Sequence, residues 1–207
     1  RDQEEPSVPM AEPTTSPTTS APRRRSTATD IALIAAFAAL IAACAVVGGI
    51  PVGGAGVDIT LQTFGVLLAG CVLGMVRGFL AVSLYLLLGA IGLPVFAGHT
   101  GGLSVFTGVS AGYLISFPFA AALAGFLVQF VFREQRTRAV FVFVAAMAGT
   151  VLNHVCGTIG MKIYLDVTWR QAFTFDAPFW VGDIVKALVV GIVAAEVHRA
   201  FPRLLGR

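Results

Sequence analysis

Two ionisable residues interrupt the last long apolar run of the chain. Asp183 and Lys186 stand three residues apart, a spacing that places both on one face of a helix. At membrane depth each costs about 2.5–3.5 kcal/mol on the insertion scale, and pairing offsets part of that. The pair reads either as a self-satisfied ion pair or as a polar ligand site, with a carboxylate to accept N–H groups and an ammonium to meet an anion. Asn153 and His154 sit in the middle of the preceding apolar run. A buried amide needs a partner; for Asn153 that is a ligand or another helix. His154 reads as an internal hydrogen-bonding residue rather than a proton relay. Tyr85 offers a ring that could stack on a ring-shaped ligand, or simply fill a core. Glu196, beside Arg199, reads as an interface residue.

Other chemistries find no support. Cys44, Cys71 and Cys156 are odd in number and lack metal-ligand spacing. Gly48–Gly56 is glycine-rich but lacks the Gly-Lys-Ser/Thr ending of a phosphate loop. No zinc-protease motif or nucleophile elbow is visible. The expectation is a protein with no catalytic residue, no metal and no cofactor, which would have to borrow any ATPase it used.

The elements that position these residues follow from composition. Of 207 residues, 57% are hydrophobic and 12% charged, about half the charged share of a soluble domain. Mean hydropathy is +0.85. This excludes a disordered chain, a disulfide scaffold and nearly every soluble enzyme. The net charge of +3 is scattered between apolar runs, so no nucleic-acid-binding face is expected. Residues 1–30 are rich in Pro, Ser and Thr and read as a disordered polar tail. Six apolar runs follow: Ile31–Gly48, Leu61–Met75, Gly78–Leu93, Leu103–Phe132 (interrupted by Pro118), Ala139–Tyr164 and Phe179–Val197. Most approach the roughly 20 residues of a spanning helix. Runs two and three demand a tight turn at Gly74–Gly78; one long helix would bury Arg77 at mid-depth.

With the N-terminus inside, the inner segments hold ten arginines, Arg77, Arg133, Arg136, Arg138, Arg199 and Arg203 among them. The outer ones hold only Lys162 and Arg170, a strong positive-inside bias. The expected fold is an all-α, six-helix transmembrane bundle, both termini cytoplasmic, spanning residues 31–201 with a short tail over 202–207. Arg23–Arg25 followed by Ile41-Ala42-Ala43-Cys44 also suits an export signal, but five further runs make a cleaved leader unnecessary. This topology puts Asp183 and Lys186 near the outer end of the sixth helix. Pro94–Gly102 and Val167–Trp180 become outer loops, with Trp169, Phe173, Phe175 and Trp180 forming an interfacial belt. Glycine-rich loops above a polar pair suit a mobile lid. On the first helix, Ala32, Ala35, Ala36 and Ala39 make a ridge of small residues that lets another helix approach, either within the bundle or from a partner.

The strings Leu61-Gln62-Thr63-Phe64-Gly65 and Gly92-Leu93-Pro94-Val95-Phe96-Ala97-Gly98, with Gly112-Tyr113-Leu114 and Gly182-Asp183-Ile184-Val185-Lys186, resemble the BioY family. Those proteins are the biotin-binding S components of energy-coupling-factor (ECF) transporters. Where the family usually has Gly-Pro-Thr-Gly-Gly-Tyr, this chain reads Gly108-Val109-Ser110-Ala111-Gly112-Tyr113. The resemblance implies a six-helix S-component fold that binds one biotin near the outer face of the cell membrane. It also implies a scaffold transmembrane subunit and two ATPase subunits as partners, and it makes the Ala32–Ala39 ridge a docking face. On this reading Asp183 or Asn153 holds the ureido group, Lys186 meets the carboxylate and Tyr85 packs on the rings. The loop at Gly98 closes over them, and Gln62 and Phe96 complete the set. The alternatives are a stand-alone transporter in which His154 or Asp183 carries a proton, an S component for another vitamin, and an intramembrane enzyme using Asp183. No inverted repeat supports the first, and the last lacks a second acid at the same depth.

Overall fold

A computed structural model describes residues 27–52 and 56–205. Six helices follow one another: α1 (Thr27–Val46), α2 (Gln62–Leu73), α3 (Met75–Ala90), α4 (Ala111–Phe126), α5 (Ala139–Leu165) and α6 (Trp169–Ala200). Between α1 and α2 lies a small antiparallel pair, β1 (Ile50–Val52) and β2 (Val57–Ile59), with Ile50 opposite Ile59. Two 3₁₀ turns, Ala97–His99 and Leu103–Thr107, join α3 to α4.

The architecture is organised around α2. This helix touches the other five, and ten of its twelve residues are buried. It is only about 18 Å long at 1.5 Å per residue, well short of the roughly 30 Å hydrocarbon layer. A helix sheathed by its neighbours need not span the layer, because no backbone at its ends faces lipid. Gly74 forms the corner into α3 at φ 84°, a left-handed value that favours glycine, and Met75 N–H there finds a cap in Gln129 Oε1 at 3.1 Å. The corner rules out the single long helix and brings Arg77 to the end of the bundle. There its guanidinium donates to Asp30 Oδ1 at 3.1 Å and to the Leu204 carbonyl at 2.6 Å.

Several expectations change. The six expected helices are present; among the described residues, α1, α4 with its π-wound extension to Val131, α5 and α6 are long and apolar enough to cross a membrane, and α2 and α3 are shorter apolar helices. Helix α1 begins at Thr27, so residues 27–30 are helical rather than tail; residues 1–26 of the expected tail lie outside the described residues. Residues 202–205, the described part of the expected C-terminal tail, pack against the bundle: Leu204 and Leu205 are buried and Arg136 donates to the Pro202 carbonyl at 2.8 Å. Helix α4 continues through Pro118, which lies buried within it.

The largest change is at α6. The segment 169–180, expected as an outer loop, forms its first three turns. Thr168 and Gln171 make a reciprocal capping box, satisfying orphan donors where the helix starts. Pro178 removes one helical hydrogen bond yet stays within the helix. Buried positions Ala172, Asp176, Phe179, Asp183 and Ala187 then recur at helical spacing, so Asp176 shares the inward face with Asp183.

Candidate functional site

A cavity of about 220 Å³ lies at the N-terminal end of α2. The short α2 leaves the space. Its first residues, Gln62 and Thr63, form one wall, and β2 with Thr60 forms another. Phe96, Ala97, Gly98 and Thr100 come from the α3–α4 connection, Ser110, Tyr113, Leu114 and Phe117 from α4 and its approach, Asn153 from α5, and Phe179, Asp183 and Lys186 from α6. The lining thus joins aromatic and aliphatic surface to a few convergent polar groups, the usual composition of a small-molecule site.

Asp183 and Lys186 form an ion pair, Nζ to Oδ1 at 2.8 Å, with side chains 7% and 11% exposed. Thr63 is the hinge of this pair. Its hydroxyl donates to Asp183 Oδ1 at 2.9 Å and accepts from Lys186 Nζ at 3.1 Å. Asp183 Oδ2 faces His154 Nε2 at 3.1 Å. Each carboxylate oxygen accepts about two hydrogen bonds, so Oδ1 is filled and Oδ2 keeps one acceptor position. Lys186 has two of its three donors engaged by these partners. By this count Asp183 keeps one acceptor position and Lys186 one donor, on two residues that both line the cavity.

Of the expected site residues, Asp183, Lys186, Asn153, Gln62, Phe96 and Gly98 meet at this one cavity. Asp183 lies about 21 Å along α6 from Trp169, near the middle of the helix rather than at its outer end. Asn153 is buried, and its Oδ1 accepts from the Ser116 hydroxyl at 2.7 Å.

Tyr85 is placed differently from its expectation. It is fully buried and lies outside the cavity lining. Its hydroxyl accepts from Gln62 Nε2 at 2.7 Å and donates to the Val95 carbonyl at 3.2 Å, and its ring meets Phe96 edge-on at 5.5 Å. Phe96 seats against Gly89, where a Cβ would overlap its ring. Tyr85 is thus a buttress for two lining residues.

Three lining or supporting residues escaped the sequence reading. Thr63 and Tyr113 lay within the strings that carried the family resemblance but were given no role. Asp176 falls in the segment expected as an outer loop; the T-x-x-Q capping signal at Thr168–Gln171 is the local clue that the helix starts early. Asp176 is 3% exposed and does not line the cavity, so it offers no second carboxylate to a substrate. On α1, Ala32, Ala35, Ala36 and Ala39 are exposed, whereas Ala38 and Cys44 turn inward.

The comparisons with known proteins agree with one another. Biotin transporter BioY of Rhodobacter capsulatus is 40% identical over 190 residues, covering 85% of this chain and 96% of that protein. Biotin transporter BioY of Rhizobium etli is 36% identical over 182 residues, covering 86% and 97%. A crystal structure of the S-component for biotin from an ECF-type ABC transporter superposes with a TM-score of 0.79 at 26% identity, covering 83% of this chain and 92% of that one. The cavity thus sits in a fold shared with a biotin S-component, and the model of the BioY family matches residues 16–203, nearly the whole chain: this protein belongs to the BioY family.

Proposed function

We propose that the chain is the biotin-capturing S subunit of an ECF-type transporter, a multi-pass protein of the cell membrane. The observation that carries the reading is the paired acceptor and donor left open on Asp183 and Lys186 inside a cavity of mixed lining. A cyclic urea presents an N–H beside a carbonyl, which is the complementary pair. The expectation that Asp183 takes the ureido group while Lys186 takes the carboxylate requires the two residues to stand a ligand's length apart. Biotin's ends are separated by a fused bicycle and a four-methylene chain, whereas Nζ and Oδ1 are 2.8 Å apart. Both residues therefore serve the ureido end: Asp183 accepts its N–H and Lys186 donates to its carbonyl. Asn153 lies beside the second N–H, Phe96, Phe117 and Phe179 enclose the bicycle, and the tail runs toward β2 and Gly98.

The topology in this reading has six membrane-embedded helices, with α2 enclosed by its neighbours and α3 turning an apolar face outward, and both termini in the cytoplasm. Arg77, Arg136, Asp30 and the 202–205 segment gather at one end, consistent with the arginine bias. The cavity lies toward the other, where solute arrives. The exposed Ala32–Ala39 face of α1 docks the scaffold subunit, and two ATPase subunits supply the energy; the chain itself performs no covalent chemistry. Equilibrium binding of labelled biotin to the purified protein, with thiamin and riboflavin as competitors, tests the reading. Saturable binding displaced by unlabelled biotin alone is expected. Absence of binding, or displacement by another vitamin, overturns it.

A further inference from the structure

Behind the cavity wall, His154 lies between two carboxylates. Its Nδ1 is 2.8 Å from Asp176 Oδ1 and its Nε2 is 3.1 Å from Asp183 Oδ2. Neither His154 nor Asp176 lines the cavity. Asp176 also accepts from the Tyr113 hydroxyl at 2.5 Å and from Trp180 Nε1 at 2.8 Å, and the Trp180 ring stacks on the imidazole at 4.2 Å. Each carboxylate thus has three donors around it and functions as an acceptor. A neutral imidazole carries one N–H and would turn a lone pair on one of them.

The charge balance leads to the same place. Among the described residues, the titratable and charged groups that face His154 are Asp176, Asp183 and, through Asp183, Lys186 on α6, and Tyr113 on α4; α2 brings the Thr63 hydroxyl to this cluster. Two buried carboxylates against one ammonium leave a net negative charge, and an unpaired buried charge costs several kcal/mol. A second proton on His154 brings the cluster to zero.

We propose that His154 is an imidazolium that positions Asp183 for the ligand, with Asp176 as its counter-ion. One oxygen of Asp183 is held by the ring and the other by Thr63 and Lys186, so the carboxylate has one rotamer and one open acceptor. Loss of the ring proton withdraws a donor from one carboxylate, and biotin affinity falls as pH rises. The binding arm of this inference rests on the biotin reading; its spectroscopic arm does not.

The test combines ¹⁵N-histidine NMR of the full protein in nanodiscs with biotin Kd between pH 6 and pH 9. The His154 signals are assigned by their loss in His154→Gln. Two protonated ring nitrogens are expected at pH 7, with Kd weakening as the second proton leaves. His154→Gln is expected to bind about tenfold more weakly at pH 7, the loss of one charge-assisted hydrogen bond to the ligand-holding carboxylate. Its Kd should stay flat where the wild-type ring titrates. Asp176→Asn removes one negative charge, so its ring should be singly protonated at pH 7, with a smaller loss of affinity than His154→Gln. A singly protonated ring in the wild type overturns the proposal, and so does a His154→Gln protein with wild-type Kd and pH profile. If His154→Gln does not fold, the wild-type spectrum and Asp176→Asn still decide. A doubly protonated ring in a protein that binds no biotin leaves the bridge standing and removes the biotin reading instead.

Discussion

Lys186→Met separates the two places where a lysine could touch biotin. The ammonium donates to Asp183 Oδ1 at 2.8 Å and to Thr63 Oγ1 at 3.1 Å, leaving one donor for the ligand. A hydrogen bond to a charged group is worth about 1.5–3 kcal/mol, which converts to roughly 10- to 150-fold in Kd. Methionine keeps the apolar stem and removes the head. Because it also strips Asp183 of its counter-charge, the companion protein Asp183→Asn/Lys186→Met serves as a control; pairs replaced together cost far less stability than one partner removed, so its melting temperature should return toward wild type while biotin binding does not. The assay is equilibrium binding of biotin and of biotinamide, whose tail is uncharged. If Lys186 donates to the ureido carbonyl, the substitution weakens both ligands by the same factor. A loss confined to biotin would place the ammonium against the tail carboxylate and refute the arrangement deduced from the 2.8 Å ion pair. Unchanged affinity for both would remove Lys186 from the site.

Tyr85→Phe should lower stability by about 1–3 kcal/mol, since Gln62 Nε2 and the Val95 carbonyl each lose a buried partner; a thermal melt checks this, and an unchanged melting temperature contradicts the buttress role. Gly89→Val should displace Phe96 and cost about 1–3 kcal/mol by overpacking, with weaker biotin binding; normal binding with an unaltered melt would show that Phe96 has room to move. Ala39→Trp, on the exposed face of α1, should leave the biotin Kd unaltered and abolish copurification with the ATPase subunits. Retained copurification would place the docking face elsewhere.

The parts of the site that the sequence disclosed share a physical reason. Asp183, Lys186 and Asn153 stand out because a polar side chain is costly inside an apolar run, so its presence there needs a purpose. Asp176 carries the same cost but is hidden, since the aromatics around it, Trp169, Phe173, Phe175 and Trp180, suit an interfacial loop. Its helix is started by side-chain capping at Thr168 and Gln171, a local signal that hydropathy does not register. Thr63 and Tyr113 were hidden for another reason: a threonine near a helix start and a tyrosine within an apolar run are ordinary, and what they touch lies on α6, 120–123 residues from Thr63 and 63 residues from Tyr113.

The amino-acid sequence by itself determined that this is a membrane bundle, which end of it is basic, and that an acid and an amine share one helical face. Those properties reside in composition and in periodicity along a single helix, and both survive without knowledge of neighbours. Only the tertiary structure decided that α2 is too short to span and so leaves a cavity at its end. It alone decided that Tyr85 supports the wall instead of lining it, and that His154 bridges two carboxylates on α6. These depend on how α2, α3, α4, α5 and α6 approach one another in space, and distances between helices are not written in the spacing of residues along any one of them.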